Sequence, residues 1–152
     1  MIRFWLPVLL WGALMFTAST DAGSSTHTRQ VLAPLLRWFE PGMPAARIDR
    51  INFLVRKSAH VTEYTIFAIL LWRAVTHPKK GEVRGWSWGL ALMVVGLVAL
   101  FAAGDEFHQA FVPSRTSSPR DVMIDTCGAI FGMTLMGAVH CLRPRRREVE
   151  SL

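Results

Sequence analysis

Hydrophobic positions in this chain fall into helix-length blocks rather than into the mixed pattern of a soluble core. The first block covers residues 4–18, behind Met1, Ile2 and Arg3. It is short for a bilayer span and long for the apolar region of a secretory signal, and Thr17-Ala18-Ser19-Thr20 adds the small residues that signal cleavage uses. A retained first helix and a cleaved leader are both open at this point. In the next stretch Val31, Leu32, Leu35, Leu36 and Phe39 recur at helical spacing, with Arg29 and Arg37 elsewhere on the turn. This reads as a short helix over about 28–40 lying in a membrane interface, or as a packed loop. Pro34 is taken as its start, and Glu40-Pro41-Gly42 breaks the chain after it.

The second block is unusual, because its uncharged apolar run covers only residues 64–72. Nine helical residues reach roughly 14 Å, less than half of a hydrocarbon core of about 30 Å. To span, this helix must begin near Ile51 and carry Lys57, His60 and Glu63 with it. Those side chains therefore belong at a membrane boundary or inside a bundle. The third block, residues 86–103, has no charge and ends at Gly104-Asp105-Glu106. The fourth, residues 122–142, holds one acid, Asp125, and Ser118-Pro119-Arg120-Asp121 opens it with a cap, a first-turn proline and a first-turn acid. The predicted fold is all-α: a polytopic integral membrane protein, one domain over 1–152. Its four-transmembrane-helix bundle has helices at about 4–20, 48–74, 86–110 and 119–142, followed by a basic tail at 143–152.

Composition agrees with this reading. Only 18% of the 152 residues are charged against 51% hydrophobic, below the charge of about 25% usual for soluble domains. The formal charge of +6 would suit nucleic acid, but the basic residues flank apolar blocks and form no stripe with interleaved aromatics, so nucleic acid is not an expected partner. Membrane lipids are. Arg73, Lys79, Lys80 and Arg84, then Arg143, Arg145, Arg146 and Arg147, form the densest basic groups, and Trp72, Trp86 and Trp88 sit beside them. Both termini are therefore expected on the cytoplasmic side of the membrane. Cys127 and Cys141 are 14 residues apart, roughly 21 Å along a helix. They cannot pair, lack metal spacing, and read as packing residues.

In this topology every misplaced polar residue meets on the outer side. Lys57, His60 and Tyr64 form one helical stripe with Glu63 beside it. Asp105 and Glu106 lie a turn from Gln109. Asp121 and Asp125 share a face with Gly128 and Gly132, whose spacing admits a close helix neighbour. The acids Glu63, Asp105, Glu106, Asp121 and Asp125 outnumber Lys57, Arg115 and Arg120, so pairing is needed to offset the cost of charge in a bilayer.

The sets Arg56-Lys57-x-x-His60-x-x-Glu63-Tyr64, Asp105-Glu106-x-x-Gln109-x-Phe111-x-Pro113-x-Arg115 and Asp121-x3-Asp125-x2-Gly128-x3-Gly132 occur in order. Together they resemble the VanZ-like family of small bacterial membrane proteins, over residues 50–135. Ser114 and Phe67 depart from the residues that family often carries, glycine and leucine. The resemblance implies a cell-envelope location and, through the family's namesake, a link to antibiotic resistance against the glycopeptide teicoplanin. It implies no secure reaction.

Several chemistries are compatible with these residues. His60 and Glu63 are the catalytic candidates, as an acid/base pair acting on a lipid-linked phosphate or envelope precursor. The alternative for Lys57, His60 and Glu63 is a salt-bridge network between helices. Asp105, Glu106, His108 and His60 have metal-ligand chemistry without dedicated spacing, and no metal or cofactor is expected. Arg115 lies in a polar loop beside a helix start and suits an anion, or neutralises the acids. Proton-linked transport through Asp125 and Glu63 is a further reading, although no internal repeat is visible. The leading expectation is a non-enzymatic protein with an outer-face polar pocket for an anionic lipid, a cell-wall precursor or a glycopeptide. Its oligomeric state is left open.

Overall fold

A computed structural model describes residues 2–20, 24–77, 85–113 and 117–142. The described residues form five α-helices and no strand: α1 (Ile2–Ala18), α2 (Ser25–Phe39), α3 (Ala45–Thr76), α4 (Trp88–Gln109) and α5 (Pro119–Leu142). Arg115, the basic residues at 79, 80 and 84, and the tail from 143 lie outside the described residues.

The central element is α3, which packs against each of the other four helices. At one end of the bundle Phe4 stacks on His77 with centroids 5.0 Å apart, Trp72 lies 4.6 Å from Trp86 between ring centroids, and the Trp86 backbone N–H donates to His140 Nε2 at 3.0 Å. At the other end Ser19 reaches Asp105, Lys57 reaches Asp121 and Ser118 reaches Glu106. The helices α1, α3, α4 and α5 therefore alternate in direction. With 32 residues, α3 is about 48 Å long, and its first turns run past the other helices to carry α2.

The core is built from small and aromatic residues. Ala68, Val94, Val98, Ala102 and Ala129 are fully buried, and Phe67 packs against Phe101 at 4.8 Å between ring centroids. Tyr64 fills the space between α3 and α4, edge-on to Phe101. The closest approach is between α3 and α5. A Cβ built on Gly128 would stand 2.6 Å from the Val61 carbonyl oxygen, and one on Gly132 would stand 2.9 Å from that of Thr65. The Thr65 hydroxyl reaches across this seam to the Gly128 carbonyl at 2.9 Å.

Among the described residues two helices, α4 and α5, are long and apolar enough to cross a membrane. The helix α1 is apolar but 17 residues long, and α3 is long but charged. Large apolar side chains cover the outside: Leu9, Leu10 and Leu14 on α1, Leu92 and Leu100 on α4, Ile130 and Phe131 on α5 are all exposed.

Three expectations from the sequence need correction. The stretch around 28–40 is helical from Ser25, not from Pro34, which lies inside the helix. The start is set by Ser24, whose hydroxyl accepts the His27 N–H, a standard cap. Pro34 is exposed and lines the groove between α2 and α3. The second block extends as a helix beyond 48–74 at both ends, beginning behind Pro44. Finally, Cys127 and Cys141 are exposed on the outer surface of α5 and do not pack in the core, because the α5 face turned toward α3 is used by Asp125, Gly128 and Gly132.

Candidate functional site

The polar end of the bundle is assembled by helix periodicity. Lys57, His60 and Tyr64 lie on one face of α3, and each meets an acid from another helix. The Lys57 ammonium pairs with the Asp121 carboxylate, both side chains being mostly buried. His60 Nδ1 lies 3.2 Å from Asp125 Oδ1, with the Asp125 side chain only 1% exposed. The Tyr64 hydroxyl points to Asp105 Oδ2 at 3.5 Å. Since Asp121 and Asp125 are one turn apart on α5, as Lys57 and His60 nearly are on α3, the two pairs form successive rungs between these helices.

Asp105 is the hub of the second half of the site. Its Oδ2 accepts the Ser19 hydroxyl at 2.7 Å and the Gln109 amide at 2.9 Å, which ties the end of α1 to α4. Glu106 performs a different task. Its Oε2 accepts the Ser118 N–H at 2.8 Å, while the Ser117 hydroxyl donates to the Glu106 carbonyl at 2.9 Å. Glu106 thereby caps the start of α5, where free N–H groups and the helix dipole favour negative charge.

Some acceptors in this region have no hydrogen-bond partner among the described residues: Asp105 Oδ1, Glu106 Oε1 and Asp125 Oδ2 are buried in that condition, as is His108 Nδ1. His108 instead packs under Phe16, ring centroids 4.5 Å apart. Asp105, Glu106, His60 and His108 do not come together as a cluster of three or more metal ligands among the described residues.

A cavity of about 170 Å³ opens beside these pairs, lined by Ser19, Thr28, Arg56, His60 and Glu63 together with small apolar residues. The wall is fixed by the packing of α1 on α3, where the Trp11 indole donates to the Glu63 carbonyl at 3.0 Å. Of the residues singled out from the sequence, Lys57, His60, Tyr64, Asp105, Glu106, Gln109, Asp121 and Asp125 converge at this end. Glu63 faces the cavity, and Gly128 and Gly132 lie in the seam below.

Ser19 and Trp11 were missed by reading the sequence. The only signal for Ser19 was the polar close of an apolar block, which reads equally well as a cleavage site. Arg56 carried a signal, one residue before Lys57, but periodicity alone does not say that it turns toward α1 and α2.

A family model described as VanZ/LLP1 matches residues 4–140, nearly the whole chain. The chain belongs to this family. No curated protein and no solved structure matches it.

Proposed function

We propose, from membership of the VanZ/LLP1 family and the geometry above, that the chain is a multi-pass protein of the bacterial cytoplasmic membrane. In this reading α1, α3, α4 and α5 span the bilayer, α2 lies in the outer interface, and both termini are cytoplasmic. The exposed leucines and phenylalanines of α1, α4 and α5 support it, since a water-facing surface of this kind would be an association liability. So does the group of Trp72, Trp86 and Trp88 at one end of the bundle, the level at which indoles favour a membrane interface.

At the opposite end, the protein binds an anionic or peptide-bearing envelope ligand and thereby lowers glycopeptide action at the cell surface. The observation that carries this reading is the cavity lined by Ser19, Arg56, His60 and Glu63. A guanidinium beside a hydroxyl, an imidazole and a carboxylate can hold a terminal carboxylate or phosphate and its neighbouring amide at once. A volume of about 170 Å³ is below the roughly 300 Å³ at which drug-sized pockets begin. It therefore suits the end group of a larger ligand and not a whole glycopeptide. The test uses the full-length protein in neutral detergent with an acylated peptide ending in a free carboxylate, against the same peptide as its amide. Binding of the acid form only, weakened by Arg56→Gln, is expected. Equal affinity for the two peptides would refute it.

One contact favours a second reading, an enzyme acting on a lipid-linked phosphate. Asp125 holds His60 Nδ1, the arrangement by which a carboxylate orients an imidazole for proton transfer. In that case His60→Ala abolishes turnover of the lipid-linked phosphate while the variant still inserts and purifies normally.

A further inference from the structure

A second and larger cavity, about 750 Å³, runs between α2 and the first turns of α3. Its chemistry differs from that of the acidic cluster. Arg29 and Arg37 from α2 and Arg56 from α3 line it, against one carboxylate, Asp49. Asp49 is already paired with Arg29 at 2.6 Å, whereas Arg37 and Arg56 have no ion pair among the described residues. Among the described residues the lining thus carries an excess of two positive charges. The first turn of α2 contributes Ser25 to the same wall, and that turn is fixed in place by the Asn52 amide, which donates to the Ser25 carbonyl at 3.2 Å. The dipole of this helix N-terminus also favours an anion.

The sidedness of α2 points the same way. Val31, Leu35, Trp38 and Phe39 are exposed at 77%, 52%, 76% and 72%. They form a face of α2 opposite the arginines, as helical spacing requires. An in-plane helix resting on this apolar face holds its guanidinium side at the depth of phosphate headgroups.

We propose that the groove between α2 and α3 is a phosphate-binding site for an anionic envelope component, in which Arg29 holds the phosphate midway along the groove, with Arg37 toward one end and Arg56 toward the other. The phosphate belongs either to a glycerophospholipid headgroup or to a free anion. The groove is separate from the His60 cavity, although Arg56 lines both. The proposal rests on the membrane placement argued above, and not on the ligand of that smaller cavity.

Asp49 competes for Arg29, so its removal should help an anion. The experiment measures the unfolding temperature of the full-length protein in neutral detergent as phosphatidylglycerol, phosphatidylcholine or inorganic phosphate is titrated in. Phosphatidylglycerol is expected to stabilise the wild type and phosphatidylcholine to do so at least tenfold less effectively. In Arg29→Gln/Arg37→Gln the apparent Kd should rise by roughly tenfold or more, the scale of one lost charge-assisted hydrogen bond. In Asp49→Asn it should fall. His60→Ala, which breaks the Asp125 pair and enlarges the smaller cavity but lies outside the lining of the groove, should leave the Kd unchanged even where the lipid-free protein unfolds at a lower temperature. Inorganic phosphate matching the lipid would assign the site to a free anion, and a response to the lipid alone would assign it to a headgroup. Equal effects of the two lipids together with no response to inorganic phosphate, or an unchanged Kd in both the double variant and Asp49→Asn, would overturn the proposal. Membrane placement is read separately by resistance to alkaline carbonate extraction of the same cells.

Discussion

The seam between α3 and α5 gives a sharp quantitative test in Gly128→Ala. Two effects oppose each other. Alanine relieves the backbone entropy of a helical glycine, a gain of about 1 kcal/mol. Its Cβ would, however, stand 2.6 Å from the Val61 carbonyl oxygen and 3.3 Å from the Tyr64 Cβ. Ordinary van der Waals contact begins near 3.4 Å, so α5 must retreat by about 0.8 Å. The atom in the way is backbone and cannot swing aside. Overpacking of this kind costs about 1–3 kcal/mol. The same retreat stretches the Thr65–Gly128 hydrogen bond from 2.9 Å and pulls on Asp125, one turn away, where it meets His60. The net expectation is a loss of about 1–2 kcal/mol, with Gly132→Ala losing less because its Cβ would be 2.9 Å from the Thr65 carbonyl oxygen. Gly96 supplies the control, since nothing lies within 4 Å of a Cβ there. Thermal or denaturant unfolding in one detergent should order the proteins as Gly128→Ala, Gly132→Ala, wild type, Gly96→Ala, from least to most stable. If Gly128→Ala matched or exceeded Gly96→Ala, α5 could not lie against the α3 backbone at this point, and the placement of Asp125 beside His60 would fall with it.

Breaking one rung of the ladder should be worse than removing it: Lys57→Met leaves Asp121 charged and mostly buried and should destabilise by about 1–3 kcal/mol, whereas adding Asp121→Asn to it should recover part of the loss in the same unfolding assay. The proposed orientation is checked with the two exposed thiols: a membrane-impermeant maleimide should modify Cys141 only after the cells are opened and should leave Cys127 unmodified throughout, because that thiol would face acyl chains, and labelling of Cys141 in intact cells would reverse the topology.

The sequence reading fails and succeeds for identifiable physical reasons. Blocks such as 86–103 and 122–142 are legible because an uninterrupted apolar run admits few alternatives to a helix. The acids and the α3 stripe are legible because a charge inside such a run costs too much to stand alone, so partners at helical spacing can be sought. The start of α2 is not legible in the same way. Its apolar positions 31, 35, 38 and 39 are exposed, so periodicity identifies a face but not its packing. Pro34 then looks like a boundary, although the hydroxyl of Ser24, ten residues earlier, satisfies the first turn. Cys127 misleads for a related reason: free cysteine is commonly buried, but in a bundle whose outside is also apolar, hydrophobic character no longer distinguishes inside from outside.

That loss of contrast is why α3 is the informative helix. An apolar helix such as α4 can face lipid or protein at little difference in cost, so its composition says little about its neighbours. The helix α3 has no such freedom. Lys57 and His60 require acids, and α5 supplies them at the matching spacing of one turn. Gly128 and Gly132 continue the same α5 face and let the backbones close to a distance at which those short acidic side chains can reach. The glycines and the charges are therefore one device: without the close approach the pairs would be too long, and without the pairs the approach would have to desolvate lone charges. The pairs still leave an oxygen on each of Asp105, Glu106 and Asp125 with no protein donor among the described residues. On the function proposed above, ligand recognition falls to the cavity that Arg56 and His60 line, and the pairs hold its walls in place.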